Sequence, residues 1–473
     1  MSSKPITKIT MTLQADACFK CMKPIVAIIG RPNVGKSTFF NRVTRTRDAL
    51  VENFPGVTRD RIYGDAEWND VAFTLVDTGG FTEAEDDFNP QIKFQIEQAM
   101  QDADVIVVML DGKAGLSPFD SDIIQLLRSI TKPVLFAVNK LDGIEHEDSL
   151  YEFYSIGVEE LHPLSAEHGY GMNDFLDHLV DALAKILAGQ DPVEHEESVK
   201  VAVVGRPNVG KSSLINKVLG EKRLLVSDIP GTTRDAVDSL YTSGDTLYRL
   251  IDTAGIRRKG KVQKKLEKFS VIKALKSLDQ CDVALIVLDA DAGVTEQDVN
   301  IAGYAYERGC GCIFLLNKWD LVEKDSRTLK RYQEQIRMDS KFLQFAPVLT
   351  ISALTGQRIQ KIFRIVDAVF DQYSTRINTG TLNKIFEGAI FKNEPSLHRG
   401  RRLKFYYATQ VSTKPPTFVC FVNYPDAVHF SYKRYLINQV RAETGLENTP
   451  LRLIFRQRKG RPKGARNPKA SKQ

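Results

Sequence analysis

The chain is 473 residues long, 42% apolar and 26% charged, a size and composition that suit about three domains with a buried core in each. Its longest apolar runs, such as Val105 to Leu110 and Val283 to Leu288, stop far short of the ~20 residues a membrane-crossing helix requires, so no span is expected. Six scattered cysteines disfavour a disulfide framework and suit a reducing, cytoplasmic setting; the mild net charge of +6 conceals an asymmetry, because Arg376 to Gln473 holds 20 Lys and Arg against 5 Asp and Glu, or +15, leaving −9 for the remainder.

Residues 1–22 contain neither a long apolar stretch nor an arginine, and read as an unstructured extension rather than a signal or transit peptide. Cys18-x-x-Cys21 has ligand spacing, but no second Cys or His pair lies near it and the seven histidines form no cluster along the chain, so no structural zinc site is expected. From residue 23 to residue 188, short apolar strands alternate with amphipathic stretches, the pattern of βα units in a doubly wound, mostly parallel sheet.

Within that first unit, Gly30-Arg31-Pro32-Asn33-Val34-Gly35-Lys36-Ser37, followed by Thr38, has the form of a P-loop. Backbone N–H groups of such a loop face phosphate oxygens at a helix N-terminus, Lys36 reaches the outer phosphates, and Ser37 reaches a magnesium ion. Thr58 comes next, then Asp77-Thr78-Gly79-Gly80-Phe81; the Asp closes the apolar run Ala72 to Val76, where a second magnesium-shell carboxylate belongs. Asn139-Lys140-Leu141-Asp142 selects the base. A carboxylate pairs with the adjacent N1–H and amine donors of guanine, whereas adenine lacks the N1 proton and would strand the charge. Ser165-Ala166, after another strand-like run, is expected to offer backbone N–H groups to guanine O6.

Residues 189–199 are polar and acidic and read as a linker. Beyond them, over residues 200–374, the pattern repeats. Gly205-Arg206-Pro207-Asn208-Val209-Gly210-Lys211-Ser212, followed by Ser213, duplicates the P-loop at an offset of 175 residues, and Thr233 and Asp252-Thr253-Ala254-Gly255-Ile256 keep that offset. Asn317-Lys318-Trp319-Asp320 follows its counterpart by 178 residues, and Ser352-Ala353 ends the series. The magnesium sets are accordingly Ser37, Thr58 and Asp77 in one unit and Ser212, Thr233 and Asp252 in the other. After the Asp strings the two expected switch segments differ in sign: Glu83, Glu85, Asp86 and Asp87 are acidic, whereas Arg257, Arg258, Lys259, Lys261, Lys264 and Lys265 are basic. The acidic one is expected to dock on the basic C-terminal unit in one nucleotide state.

Residues 375–456 have a different grammar. Thr381 to Ile390 has helical spacing, Leu403 to Val411 and Thr417 to Val422 read as strands, Tyr432 to Glu443 as a helix, and Leu451 to Phe455 as a last strand. That α+β order resembles a KH-type domain, although the Gly-x-x-Gly RNA clamp is missing. The basic arm Arg399, Arg401, Arg402 and Lys404 leads into the strands, and the chain ends in a basic tail, 457–473. Arg456, Arg458, Lys459, Arg461 and Lys463 open a run of eight positive charges with no acid, a composition that builds no core and fits phosphate backbones.

Two G domains with identical P-loops, followed by a KH-like module entered through Arg401-Arg402-Leu403-Lys404 and Tyr406-Tyr407-Ala408-Thr409-Gln410, resemble the bacterial Der (EngA) family over residues 23–456. The resemblance implies a cytoplasmic, monomeric GTPase using GTP/GDP and Mg2+, which assists maturation of the large ribosomal subunit by binding its rRNA and proteins. The usual water-orienting glutamine is replaced by Phe81 and Ile256, while Asn33 and Asn208 resemble the asparagine that holds K+ in related GTPases. Lys36, Asn33 and Thr58, with Lys211, Asn208 and Thr233, are therefore the expected catalytic groups of a slow, potassium-stimulated enzyme. A tRNA-modification GTPase shares the Asn-containing loop but carries one G domain and a folate-binding region for which this chain has no room. A non-hydrolysing RNA scaffold is the other alternative.

Overall fold

A computed structural model of the protein describes residues 23–44, 63–78, 90–143, 150–158, 160–188, 198–220, 238–244, 246–252, 271–395 and 402–457. Outside them lie Thr58, Thr233, Gly79, Gly80, Phe81, Thr253, Ala254, Gly255, Ile256, Arg399, Arg401, Arg458, Lys459, Arg461 and Lys463. Both charged switch segments, Cys18, Cys21 and most of the acidic linker also lie outside.

The first unit runs β1 (Ile25–Ile29), α1 (Lys36–Thr44), β2 (Tyr63–Trp68), β3 (Val71–Asp77), α2 (Pro90–Asp102), β4 (Val105–Asp111), α3 (Pro118–Leu127), β5 (Val134–Asn139), α4 (Leu150–Phe153), β6 (His162–Pro163) and α5 (Met172–Ala188). Its sheet is ordered β2-β3-β1-β4-β5-β6 and is parallel apart from the β2/β3 hairpin. The second runs β7 (Val199–Val204), α6 (Lys211–Gly220), β8 (Ser239–Ser243), β9 (Thr246–Leu250), α7 (Val271–Gln280), β10 (Val283–Asp289), α8 (Glu296–Glu307), β11 (Gly311–Asn317), α9 (Thr328–Asp339), β12 (Val348–Thr350) and α10 (Ile359–Ser374). Its sheet, β8-β9-β7-β10-β11-β12, repeats the first strand for strand.

Unbroken apolar runs become central strands because helices cover both faces of a parallel sheet. Every residue of β4 and of β10 is buried. On one face of the second sheet, α10 buries Ile359, Ile362, Phe363, Val366 and Val369, and Phe363 stacks on Tyr241 with centroids 4.4 Å apart. Among the described residues no helix is long and apolar enough to cross a membrane.

The third unit comprises α11 (Thr379–Lys392), β13 (Phe405–Ser412), β14 (Thr417–Val422), α12 (Phe430–Thr444) and β15 (Arg452–Gln457). Strands β13 and β14 are antiparallel, β14 and β15 parallel, and Leu382, Phe386, Phe418, Leu436, Val440 and Leu453 fill the space under the two helices.

The units share packed surfaces. Ile25, Tyr63, Val76 and Ala99 of the first belong to one core with Leu275, Leu278 and Tyr304 of the second. Arg308, just past α8, reaches Asp65 at 3.1 Å, Asp279 at 3.1 Å and Thr74 Oγ1 at 3.0 Å, and Lys276 meets Asp104 at 2.6 Å. On the other side of α8, Arg452 donates to the Glu307 carbonyl at 2.9 Å, and Arg441 lies 4.4 Å from the Phe345 ring centroid.

Candidate functional site

Between β1 and α1 the P-loop holds Asn33 at φ 63° and Gly35 at φ 97°; in the second copy Asn208 is at 64° and Gly210 at 96°. Glycine is demanded twice over at the later position, since a Cβ on Gly35 or on Gly210 would sit 2.2 Å from the Asn139 or Asn317 amide nitrogen. In the first loop, Lys36 Nζ donates to the Gly30 and Arg31 carbonyls at 2.9 and 2.7 Å. Burial lowers this ammonium to about 8 against the pull of Asp77. An anionic phosphate would restore full protonation. Lys211 Nζ makes the matching bond to the Arg206 carbonyl at 2.7 Å. Asn33, Thr38, Asn208 and Ser213 are exposed at the loop and the first helical turn, Pro32 and Pro207 are half-buried, and Val34 and Val209 anchor the loops in the core.

Ser37 Oγ donates to Asp77 Oδ2 at 2.7 Å, so the structure brings together the two described oxygens of the first predicted magnesium set. This hard-oxygen pair suits Mg2+. Thr78, whose hydroxyl bonds the Ile28 carbonyl at 2.7 Å, ties the end of β3 to β1. In the second unit Asp252 faces Lys273 at 3.2 Å, and its amide donates to Asp238 Oδ1 at 3.1 Å. Burial raises the Asp252 carboxyl despite Lys273.

The base-side strings form a strut. Asn139 donates from Nδ2 to the Val34 carbonyl at 2.7 Å and accepts at Oδ1 from the Ala166 amide at 2.8 Å, joining the P-loop to the Ser165-Ala166 turn. Asn317 does the same with Val209 at 2.7 Å and Ala353 at 2.9 Å. The amides expected to be open donors for guanine O6 are thus already engaged: Ser165 and Ser352 donate to Tyr170 and Gln357, and Ala166 and Ala353 to the Asn side chains. A contact to O6 from Ala166 or Ala353 is shared with the strut.

Lys140 and Lys318, both in the left-handed region, meet Asp111 at 2.5 Å and Asp289 at 2.7 Å. Burial raises the Asp111 carboxyl, but the Lys140 ammonium and the Ala114 and Lys113 amides outweigh it and hold the group below the usual range. Leu141 and Trp319 are buried, which leaves the flanking Lys and Asp on the pocket side. The two base-reading carboxylates differ. Asp142 accepts from Ser165 Oγ at 2.9 Å and from Lys113 at 2.8 Å. Asp320 Oδ1 is buried with no hydrogen-bond partner among the described residues, and the residue aligned with Lys113 is Asp291. An unsatisfied buried carboxylate oxygen fits the paired N–H donors of guanine.

Arg31 and Arg206 do something the sequence reading did not assign. Arg31 donates to the Gly115 carbonyl at 3.0 Å and lies 3.6 Å from Asp120; Arg206 repeats this with Gly293 at 3.2 Å and Asp298 at 3.3 Å. Each Asp also closes a capping box with Ser117 or Thr295 at the start of α3 or α8. These arginines brace the P-loops against the starts of α3 and α8. The repeated Ser/Thr-x-x-Asp spacing was the available signal.

In the third unit, Arg402 and Lys404 are exposed, and Arg402 lies 3.6 Å from Glu394. Arg456 stands in register with Phe421, which pairs with Tyr407; the two rings stack 4.5 Å apart. Tyr407 and Arg456 are exposed, so one sheet face carries an aromatic and cationic row. The histidine reading needs correction: His162 and His178, 16 positions apart, have ring centroids 4.8 Å apart because β6 and α5 lie side by side.

Two P-loop pockets on duplicated sheets, each strutted to an Asp-bearing base loop and joined to a KH-like unit, define a tandem G-domain GTPase. Residues 25–140 and 200–318 match the family model described as 50S ribosome-binding GTPase, and residues 376–456 match that of the KH-domain-like C-terminal region of EngA bacterial GTPase enzymes. GTPase Der of Desulforapulum autotrophicum is 57% identical over 93% of this chain and 92% of its own length. GTPase Der of Geotalea daltonii is 50% identical over 94% and 100%, and that of Moorella thermoacetica 51% over 92% and 98%. The chain belongs to the GTPase Der family. It binds and hydrolyses GTP, and membership implies GTP/GDP and Mg2+ at its pockets.

Proposed function

We propose that this GTPase assists assembly of the large ribosomal subunit, binding rRNA and ribosomal proteins according to the nucleotide in its two pockets, and that K+ stimulates both. The observation that carries the nucleotide half is the twice-built strut Asn139 and Asn317, which ties phosphate loop to base loop so that each pocket can register a whole nucleotide. The RNA half rests on the Tyr407, Phe421 and Arg456 row within the +15 C-terminal stretch, since exposed rings and guanidinium planes stack unpaired bases.

In this reading Lys36 and Lys211 hold the outer phosphates while backbone amides at the starts of α1 and α6 face their oxygens. Mg2+, held by Ser37 with Asp77 and by Ser212 with Asp252, would neutralise the bridging phosphate charge. Attack of water breaks the bond between the γ-phosphorus and the bridging oxygen, and the developing charge is met by the lysine and the loop amides. Thr58 and Thr233 complete the magnesium sets. The left-handed backbone of Asn33 and Asn208 leaves both side chains exposed at the phosphate side, where a monovalent cation can add charge.

Co-sedimentation with large ribosomal subunits should differ between a GTP analogue and GDP, weaken with salt, and weaken further in Tyr407→Ala. Equal binding in both nucleotide states removes the assembly-switch reading. Turnover should be faster in K+ than in Na+, and Asn33→Ala with Asn208→Ala should abolish that difference; equal rates in the two salts remove the potassium reading.

A further inference from the structure

We infer that Glu160, His162 and His178 form a binding site for a divalent transition-metal ion, with zinc the best fit, that ties β6 to α5 on the first G domain. The carboxylate and the two imidazoles, contributed by the segment before β6, by β6 itself and by the middle of α5, converge so that one ligand atom of each lies within 4.8 Å of the others. His178 Nε2 is 3.4 Å and His162 Nε2 3.9 Å from the same oxygen, Glu160 Oε1.

His178 Nδ1 lies 2.7 Å from the Asp174 carbonyl, and a carbonyl only accepts, so Nδ1 carries the hydrogen. In the neutral ring Nε2 is then a bare lone pair pointed at a carboxylate oxygen, two acceptors face to face. A cation held between them, a metal ion as readily as a proton on Nε2, removes that repulsion. A carbonyl gripping the far nitrogen of a histidine is also the arrangement that orients metal-bound imidazoles. His162 is buried and held edge-on against Phe175, with centroids 5.4 Å apart, so one ligand is fixed in place. Glu160 and His178 are exposed and can close the remaining distance.

Metal–ligand bonds of about 2.1 Å in a tetrahedron put ligand atoms about 3.4 Å apart, which the His178 to Glu160 separation already meets. Two imidazoles and a carboxylate select zinc or a neighbouring transition metal over the hard, oxygen-seeking Mg2+ of the nucleotide pockets. Water would complete the shell. The elements joined flank the loop that carries Ser165 and Ala166, so an ion here fastens the frame of the base-side turn.

The test uses the full chain with Cys18→Ser and Cys21→Ser, which removes the other candidate ligand pair, saturated with Mg2+ and GDP to occupy the pockets. Calorimetric titration with Zn2+ alone at neutral pH should show one saturable site per chain. His178→Ala and Glu160→Gln, both at exposed positions, should each weaken it by at least tenfold while circular dichroism and GDP stoichiometry stay unchanged. Absence of a saturable site overturns the inference, as does zinc binding of equal affinity in both variants.

Discussion

Replacing Arg308 by Met removes the buried cation that bridges two acids at the junction of the two G domains. The guanidinium, 6% exposed, bonds Asp65 and Asp279 at 3.1 Å each and Thr74 at 3.0 Å. Removing one partner of a buried pair costs about 3–5 kcal/mol, because the remaining charge keeps its desolvation penalty. Asp65 retains Lys23 and is 31% exposed, so it rehydrates; Asp279, 9% exposed, does not. We therefore expect the lower end, about 3 kcal/mol, with Asp279→Asn added to Arg308→Met recovering at least half by neutralising the buried acid that has lost this cation. The chain has two tryptophans, Trp68 in β2 and Trp319 after β11. Guanidinium unfolding followed by fluorescence in Trp68→Phe and Trp319→Phe backgrounds resolves the two units, which a single two-state fit would not. A loss under about 1 kcal/mol in Arg308→Met, or no recovery in the double variant, refutes the reasoning.

Acid should loosen the same junction. Burial raises the Asp65 carboxyl, but Arg308 and Lys23 overcome it and bring the group from 3.8 to about 2. A depressed carboxylate contributes stability that is fully present above its unfolded value and lost as pH falls through the folded one. At most about 2 kcal/mol should therefore disappear between pH 4 and pH 2, and Asp65→Asn should flatten that part of the unfolding profile; an unchanged slope contradicts it. Asn139→Ala leaves the Val34 carbonyl and the Ala166 amide without their 2.7 and 2.8 Å partners, a cost of about 2–4 kcal/mol, of which about 1.4–2.8 kcal/mol should weaken fluorescent GDP binding at the first pocket by about 10–100-fold and spare the second. Asn317→Ala should do the reverse. Asp320→Asn replaces an acceptor by an amide that fits only one of guanine's two donors, and titration should show the second pocket losing GDP while gaining affinity for xanthine nucleotide.

Much of this molecule was legible because its signals are local or repeated. Val105 to Leu110 and Val283 to Leu288 could be recognised as central strands from their unbroken apolar character, and β14 was placed at Thr417 to Val422 without error. The helices of the third unit begin two residues before the expected starts because Asn378 and His429 cap them. Long-range pairings were not legible. Arg31 meets Asp120 across 89 positions and Arg308 meets Asp65 across 243, separations that no periodicity encodes. The same holds for His162 and His178, which only the packing of β6 beside α5 unites. The Asn strut was not legible for a different reason. The Asn-Lys-x-Asp string was read for its base-facing carboxylate, while Asn139 also gives one amide hydrogen and one carbonyl lone pair to the protein.

Everything in the account depends on two working guanine pockets in one chain. Equilibrium binding of labelled GDP to the purified protein, with ATP as competitor, measures this directly. Two equivalents per chain are expected, one lost in Lys36→Ala and the other in Lys211→Ala, with ATP displacing neither. A single equivalent in the unaltered protein, or displacement by ATP at comparable concentration, would contradict it.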